Sequence, residues 1–140
     1  MKNERHRKTT LMKLRRYIEK NQITCVLNDT KWEQLFQSLK KIEWTLDFQR
    51  KDLDEQDPEE SNWDSDIYHV MGESQNIEWL YIRAQVSEHQ GALLKPKITD
   101  NTPLLLEAIK HANIPYSMHK DGVKIWGYLR PGVSPNWSST

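Results

Sequence analysis

Hydrophobic positions recur along this chain with two different periods, and the switch between them marks out its elements. Leu11, Leu14 and Ile18, with Tyr17 beside them, sit at helical spacing. They predict a helix over residues 8–20 with a basic outer side, Thr9 or Thr10 at its start, Asn21 at its end and a frayed stretch before it. Trp32, Leu35, Phe36 and Leu39 follow at i, i+3, i+4 and i+7, the apolar stripe of a second helix. Thr30-Lys31-Trp32-Glu33 reads as its capping box, and Lys40 and Lys41 suit the negative end of its dipole. Trp44, Leu46 and Phe48 then alternate with Glu43, Thr45 and Asp47, which predicts a half-buried strand. A short strand is expected over Asp66–Met71, and Ile77–Val86 is apolar on both faces, as a central strand is. Thr102 and Pro103 open a third helix with Leu105, Ala108, Ile109 and Ala112 as its inner stripe, stopped by Pro115. Tyr116–His119 and Val123–Arg130 make a hairpin around Lys120-Asp121-Gly122, whose Asp-Gly step suits a positive φ.

Helices and strands in this order show no βαβαβ alternation. They predict an α+β fold: a mostly antiparallel sheet of about five strands, with two or three helices packed mainly on one face. Residues 1–22 form a basic N-terminal extension, 23–132 a single domain, and 133–140 a flexible tail. The polar run Lys51–Ser61 (KDLDEQDPEES) reads as an exposed, mobile loop.

The 140 residues are the size of one ordinary domain, and six Trp, five Tyr and two Phe supply large side chains for its core. No window reaches the roughly 18 apolar residues that span a bilayer, and the N-terminus lacks the apolar segment of a secretory leader. Cys25 stands alone with Ile23, Val26 and Leu27 around it, so no internal disulfide forms and a buried thiol in a cytoplasmic protein is expected. Charge changes the picture more. The net charge is zero, yet Lys2, Arg5, Arg7, Lys8, Lys13, Arg15, Arg16 and Lys20 face only Glu4 and Glu19 in residues 1–20, while residues 43–66 hold ten acids against Arg50 and Lys51. Such runs are commonly no more than a solvated face; the alternative is steering of a charged partner.

The chemistry-bearing motifs are few. Five scattered glycines form no phosphate-cradling loop, the five histidines show no metal-ligand spacing, and Cys25 has no base in sequence reach. Asp64 and Asp66 would share one face of a strand and His69 the other, so they do not converge. No catalytic residue, metal ligand or cofactor is assigned. The last strand carries Lys124, Trp126, Tyr128 and Arg130 on one side, two aromatics between two bases. They form either an exposed face for single-stranded nucleic acid or a protein, or a layer under a helix with the bases at its rim; the second is favoured. Gly127 between two aromatics points to close packing there.

LNDTKWEQLF (27–36), WDSDIYHV (63–70), IEWLYI (77–82) and IPYSMHKDGVKIWGYLRPG (114–132) together resemble a family of small bacterial proteins, family 6678 of the domains of unknown function. The resemblance runs from Leu27 to Gly132 and leaves out the basic extension. It implies no activity, cofactor or catalytic residue. It does imply a small cytosolic bacterial protein, a class in which toxin-neutralising immunity proteins are common. The expectation is therefore a non-catalytic protein-binding module, most concretely an immunity-type protein that neutralises a toxin domain by direct binding. Asp52, Asp54, Glu55, Asp57, Glu59 and Glu60 would steer a basic partner and Trp63 would anchor it. Two alternatives stand beside it. One is nucleic-acid binding through the basic helix and the Lys124–Arg130 face. The other is a small metal-dependent enzyme using Asp64, Asp66 and a histidine. No membrane partner is expected.

Overall fold

A computed structural model describes residues 2–42 and 46–138. Helix α1 spans Lys2–Lys20, starting well before residue 8. Asn21 ends it as expected: its side-chain amide donates to Tyr17 O at 2.8 Å, and Gln22 turns the chain at φ 54°. Helix α2 spans Asp29–Leu39, but the Thr30–Glu33 capping box does not form. Asn28 caps instead, its Oδ1 accepting from the Lys31 amide at 2.9 Å, so Thr30 already lies inside the first turn and Glu33 binds Gln37. Helix α3 spans Thr102–His111 with Asn101, not Thr102, at its N-cap; Asp100 Oδ1 accepts from the Thr102 amide.

Four antiparallel strands make the main sheet: β2 (Phe48–Asp52), β3 (Ile77–Arg83), β6 (Ser117–His119) and β7 (Gly122–Trp126), in the order β2-β3-β7-β6. The central place of β3 is the one its double-sided apolar pattern requires. The strand expected to begin near Ile42 starts at Phe48; Trp44 and its neighbours at 43 and 45 lie outside the described residues. Strand β2 then continues through Lys51 and Asp52, where a loop was expected, because pairing with β3 satisfies those backbone groups. Asp66–Met71 is not a strand: Ile67–His69 is a 3-10 turn capped by the Asp66 carboxylate.

Registers Phe48–Ile82–Val123 and Arg50–Leu80–Ile125 define one face of the sheet. Against it pack Trp32, Leu35, Phe36 and Leu39 of α2 and Leu105, Ala108 and Ile109 of α3, all in one buried cluster. The predicted inner stripes of both helices are therefore the observed ones. A second, smaller cluster of Ile23, Leu53 and Tyr128 receives Leu14, Tyr17 and Ile18 of α1. It also brings together β1 (Thr24–Cys25) and β8 (Tyr128–Leu129), a separate antiparallel pair. Cys25 lies exposed on β1 rather than buried, its thiol donating to Leu27 O at 3.3 Å.

Two more departures involve segments read as connections. Ala84 breaks Ile77–Val86, and β4 (Gln85–Glu88) leaves the main sheet to pair with β5 (Lys97–Asp100) in an exposed hairpin arm. The tail does not hang free: Ser117 bridges Trp137, and the Ser138 amide donates to Tyr116 O at 2.9 Å, which covers the β6 edge. At the β6–β7 turn the positive φ falls on Lys120 (49°), not Gly122. Gly122 is needed for another reason, since a Cβ there would lie 2.1 Å from Ile82 O.

Gly127 ends β7 and separates it from β8. A Cβ there would meet Ile77 O at 2.2 Å and the Trp32 ring at 3.1 Å, so the close packing anticipated at this glycine is present. Gly127→Ala should lower stability by about 1–3 kcal/mol through overpacking. Gly132→Ala, at an open positive-φ turn, strains its own backbone without crowding the core. Urea denaturation with an unchanged m-value checks the Gly127 figure.

Candidate binding face

The other face of the main sheet carries the polar and aromatic side chains, and a bulge sets its composition. Lys51 pairs with Trp79, but Asp52 pairs with Ile77, so Glu78 is the extra residue in β3. Glu78 thereby turns to the same side as Lys51, only 6% exposed. Its Oε2 lies 3.2 Å from Lys51 Nζ and its Oε1 accepts from Arg130 Nε. Arg130 donates further to Leu53 O at 2.6 Å and to the Tyr17 hydroxyl at 3.1 Å. One carboxylate thus joins β2, β3, the chain after β8, and α1.

Beside this network, Trp79 and Trp126 face each other across β3 and β7. Lys124 Nζ sits 4.2 Å from the centroid of the first ring and 4.5 Å from the second. Burial pushes the Lys124 amine below the usual lysine range. The Trp126 indole donates to Ser117 Oγ at 3.1 Å. Tyr128 is buried under α1, its hydroxyl donating to Gln75 O at 2.7 Å, and burial raises its pKa to about 12. Lys124, Trp126, Tyr128 and Arg130 therefore do not form one exposed stripe. Gly127 breaks the strand, and each cation is already held by aromatic or carboxylate neighbours.

The acidic segment folds over this face. Gln49 Nε2 donates to Glu59 O and Glu60 O at 3.0 and 3.1 Å, fastening the loop to β2. Trp63 lies 5.5 Å from the Tyr81 ring, with the Arg83 guanidinium 3.6 Å over it. Trp63 is thus half-buried, one side spent on the fold. Asp54, Glu55, Asp57, Glu59 and Glu60 point outward, and among the described residues none of them forms an ion pair. Asp52 differs, since Arg50 Nε grips its carboxylate at 2.6 Å. Asp52, Asp54 and Glu55 also place carboxylate oxygens within 4.8 Å of one another.

Asp64, Asp66 and His69 do converge, against the strand-based expectation, because the 3-10 turn wraps the imidazole back. His69 Nδ1 lies 2.9 Å from Asp64 Oδ2, and Nε2 lies 3.4 Å from Asp66 Oδ2. The hydrogen bond and charge of Asp64, then the charge of Asp66, raise the His69 pKa. Both ring nitrogens are engaged and all three groups are exposed or partly so. The cluster braces the turn. A groove of about 540 Å³ lies elsewhere, between α2 and α3, lined by Ser38, Lys41, Ile42, Leu104, Glu107, Ala108 and His111.

A family model described as a family of unknown function, DUF6678, matches residues 14–132. The chain belongs to this family. No curated protein and no solved structure matches it. The match begins at Leu14, earlier than the resemblance at Leu27, and Leu14 is one of the α1 residues packed on the domain. The family's unit therefore includes the inner half of α1 and the Tyr17–Arg130 contact. Among the described residues, no helix is long and apolar enough to cross a membrane.

The Lys51–Glu78–Arg130 network escaped the sequence reading, although one signal was present: a glutamate inside the apolar run Ile77–Ile82. Glu78→Ala should cost about 3–5 kcal/mol, since it strands the Lys51 ammonium in the interior. Asp54→Ala, on the exposed loop, should stay within about 0.5 kcal/mol by the same urea titration. The histidines give a second check by NMR titration. His69 should titrate above the ordinary histidine range and His119 below it, the latter through burial and the nearby Lys124 and Lys120. A raised folded-state pKa means that His69 supports the turn below the ordinary histidine pKa, and that support fades as pH climbs through the raised value. Asp64→Asn should bring the His69 midpoint down.

Proposed function

We propose that this chain is a non-catalytic protein-binding module that presents the acidic loop 54–60 to a basic protein surface. In its most concrete form it is an immunity-type protein occluding a toxin domain. The observation that carries this reading is the set of outward carboxylates of Asp54, Glu55, Asp57, Glu59 and Glu60, none of them in an ion pair among the described residues and Asp57 acting on Lys124 through its charge, held over the sheet by the Gln49 bonds. A braced loop loses little conformational freedom on binding, and clustered charge speeds encounter with an oppositely charged partner. Trp63, at the loop's foot, presents the edge that Arg83 and Tyr81 leave open and serves as the aromatic anchor. The same geometry weighs against the nucleic-acid reading of the last strand, whose cations are held by Glu78, Trp79 and Trp126.

Affinity capture from the host with the wild-type chain should retain a basic protein at low salt. The same capture with Glu55→Lys, Asp57→Lys and Glu59→Lys combined should lose it. Rebinding of the purified partner should weaken at least tenfold in that variant, roughly the loss of 1.4 kcal/mol. Retention of the same proteins by both chains, or of none by either, would overturn the reading.

A further inference from the structure

Two sets of opposite charge stand exposed on this chain; Asp57 of the acidic set also acts through its charge on Lys124. Lys13, Arg15, Arg16 and Lys20 are exposed on α1, and Lys13, Arg16 and Lys20 recur at i, i+3 and i+7, turned away from the packed Leu14, Tyr17 and Ile18. Asp54, Glu55, Asp57, Glu59 and Glu60 are exposed on the loop. Among the described residues, none of these nine groups enters an ion pair. The two patches adjoin. Leu53, where the loop leaves β2, is buried in the same cluster that seats α1. The helix keeps its apolar edge on that cluster, so its cations turn outward and do not reach the loop of their own chain.

We infer that a second copy of this chain covers both patches, the basic side of α1 in one copy lying on the acidic loop of the other. Adjacent patches of opposite sign are self-complementary about a two-fold axis: when one helix meets the opposing loop, the reverse contact forms at the same time. Every charge contact is then made twice, which matters because a single exposed pair contributes little. A net charge of zero leaves no overall repulsion between copies. Met12, 52% exposed, and Leu11, 37% exposed, adjoin the cations and add apolar area at the contact. The inference rests on the reading of the acidic loop as a docking surface, and it adds regulation: self-association occupies the loop until a basic partner displaces the second copy.

Sedimentation velocity of the full chain alone tests this. At about 100 μM protein a dimer is expected in about 20 mM salt, dissociating in about 300 mM salt as the charges are screened. Lys13→Glu, Arg16→Glu and Lys20→Glu combined should weaken dimerisation at least tenfold, as should Glu55→Lys, Asp57→Lys and Glu59→Lys combined. Thermal unfolding confirms that each variant is folded. Mixing the two variants equimolarly should restore association, because the acidic helix of the first then meets the basic loop of the second, and the native basic helix of the second meets the native acidic loop of the first. A heterodimer is therefore expected from the mixture, with neither variant dimeric alone. A monomer in low salt, a dimer indifferent to both variants, or a mixture that stays monomeric would overturn the inference. So would an α1 that binds single-stranded DNA or RNA while the chain alone stays monomeric. No foreign protein is present in these measurements, so they fail or succeed separately from the capture of a basic partner.

Discussion

The architecture depends on one residue having no side chain. Gly127 lets the end of β7 approach Ile77 and Trp32 more closely than any Cβ permits. Its amide donates to Glu78 O at 2.8 Å, and its carbonyl accepts from Val26 and Leu27 at 2.8 and 3.3 Å. At this point the chain leaves the main sheet and turns to pair with β1, while α2 closes over it through Trp32. Both hydrophobic clusters are joined there.

The bulge at Glu78 sits opposite the same contact and decides the character of the second sheet face. Without the extra residue, pleating would send Glu78 toward the face that packs on α2 and α3. With it, the carboxylate meets Lys51 and Arg130, and the network ties α1 to the sheet through Tyr17. A buried ion pair of this kind is weak evidence for stability, but breaking it from one side is costly. It specifies which face of the sheet α1 and the Leu53 turn occupy.

The proposed function rests on what covers that face. Helices α2 and α3 seal one side, and the other is covered by α1 at its Glu78–Arg130 end and by a loop rich in carboxylates beside it. The loop's backbone and Trp63 are committed to the fold, while its carboxylates are not. This division is what allows a stable scaffold to carry a concentrated, uncompensated charge. The aromatic and basic residues of the last strand, attractive as a binding stripe when read in one dimension, are consumed in holding the scaffold together.

Much of the framework was legible in the sequence. The stripes of α2 and α3, the central place of β3, the β6–β7 hairpin and the crowding at Gly127 all follow from local period, since burial repeats with the pitch of the element. Caps were less legible, because Asn28 and Thr30 both suit an N-terminus and only tertiary packing chooses between them. The pairing of Glu78 with Lys51 and Arg130 left a single mark, a glutamate inside an apolar run, while the convergence of His69 on Asp64 and Asp66 and the docking of Trp137 beside Ser117 had no sequence signature. They join residues that are distant along the chain or turned by a non-periodic backbone, and a periodic reading assigns each side chain to a face without knowing what stands opposite. The sequence by itself determined which residues must be buried and where charge accumulates. The tertiary structure decided which charges neutralise each other inside and which stay exposed, because pairing depends on what stands opposite in space and not on what is near along the chain.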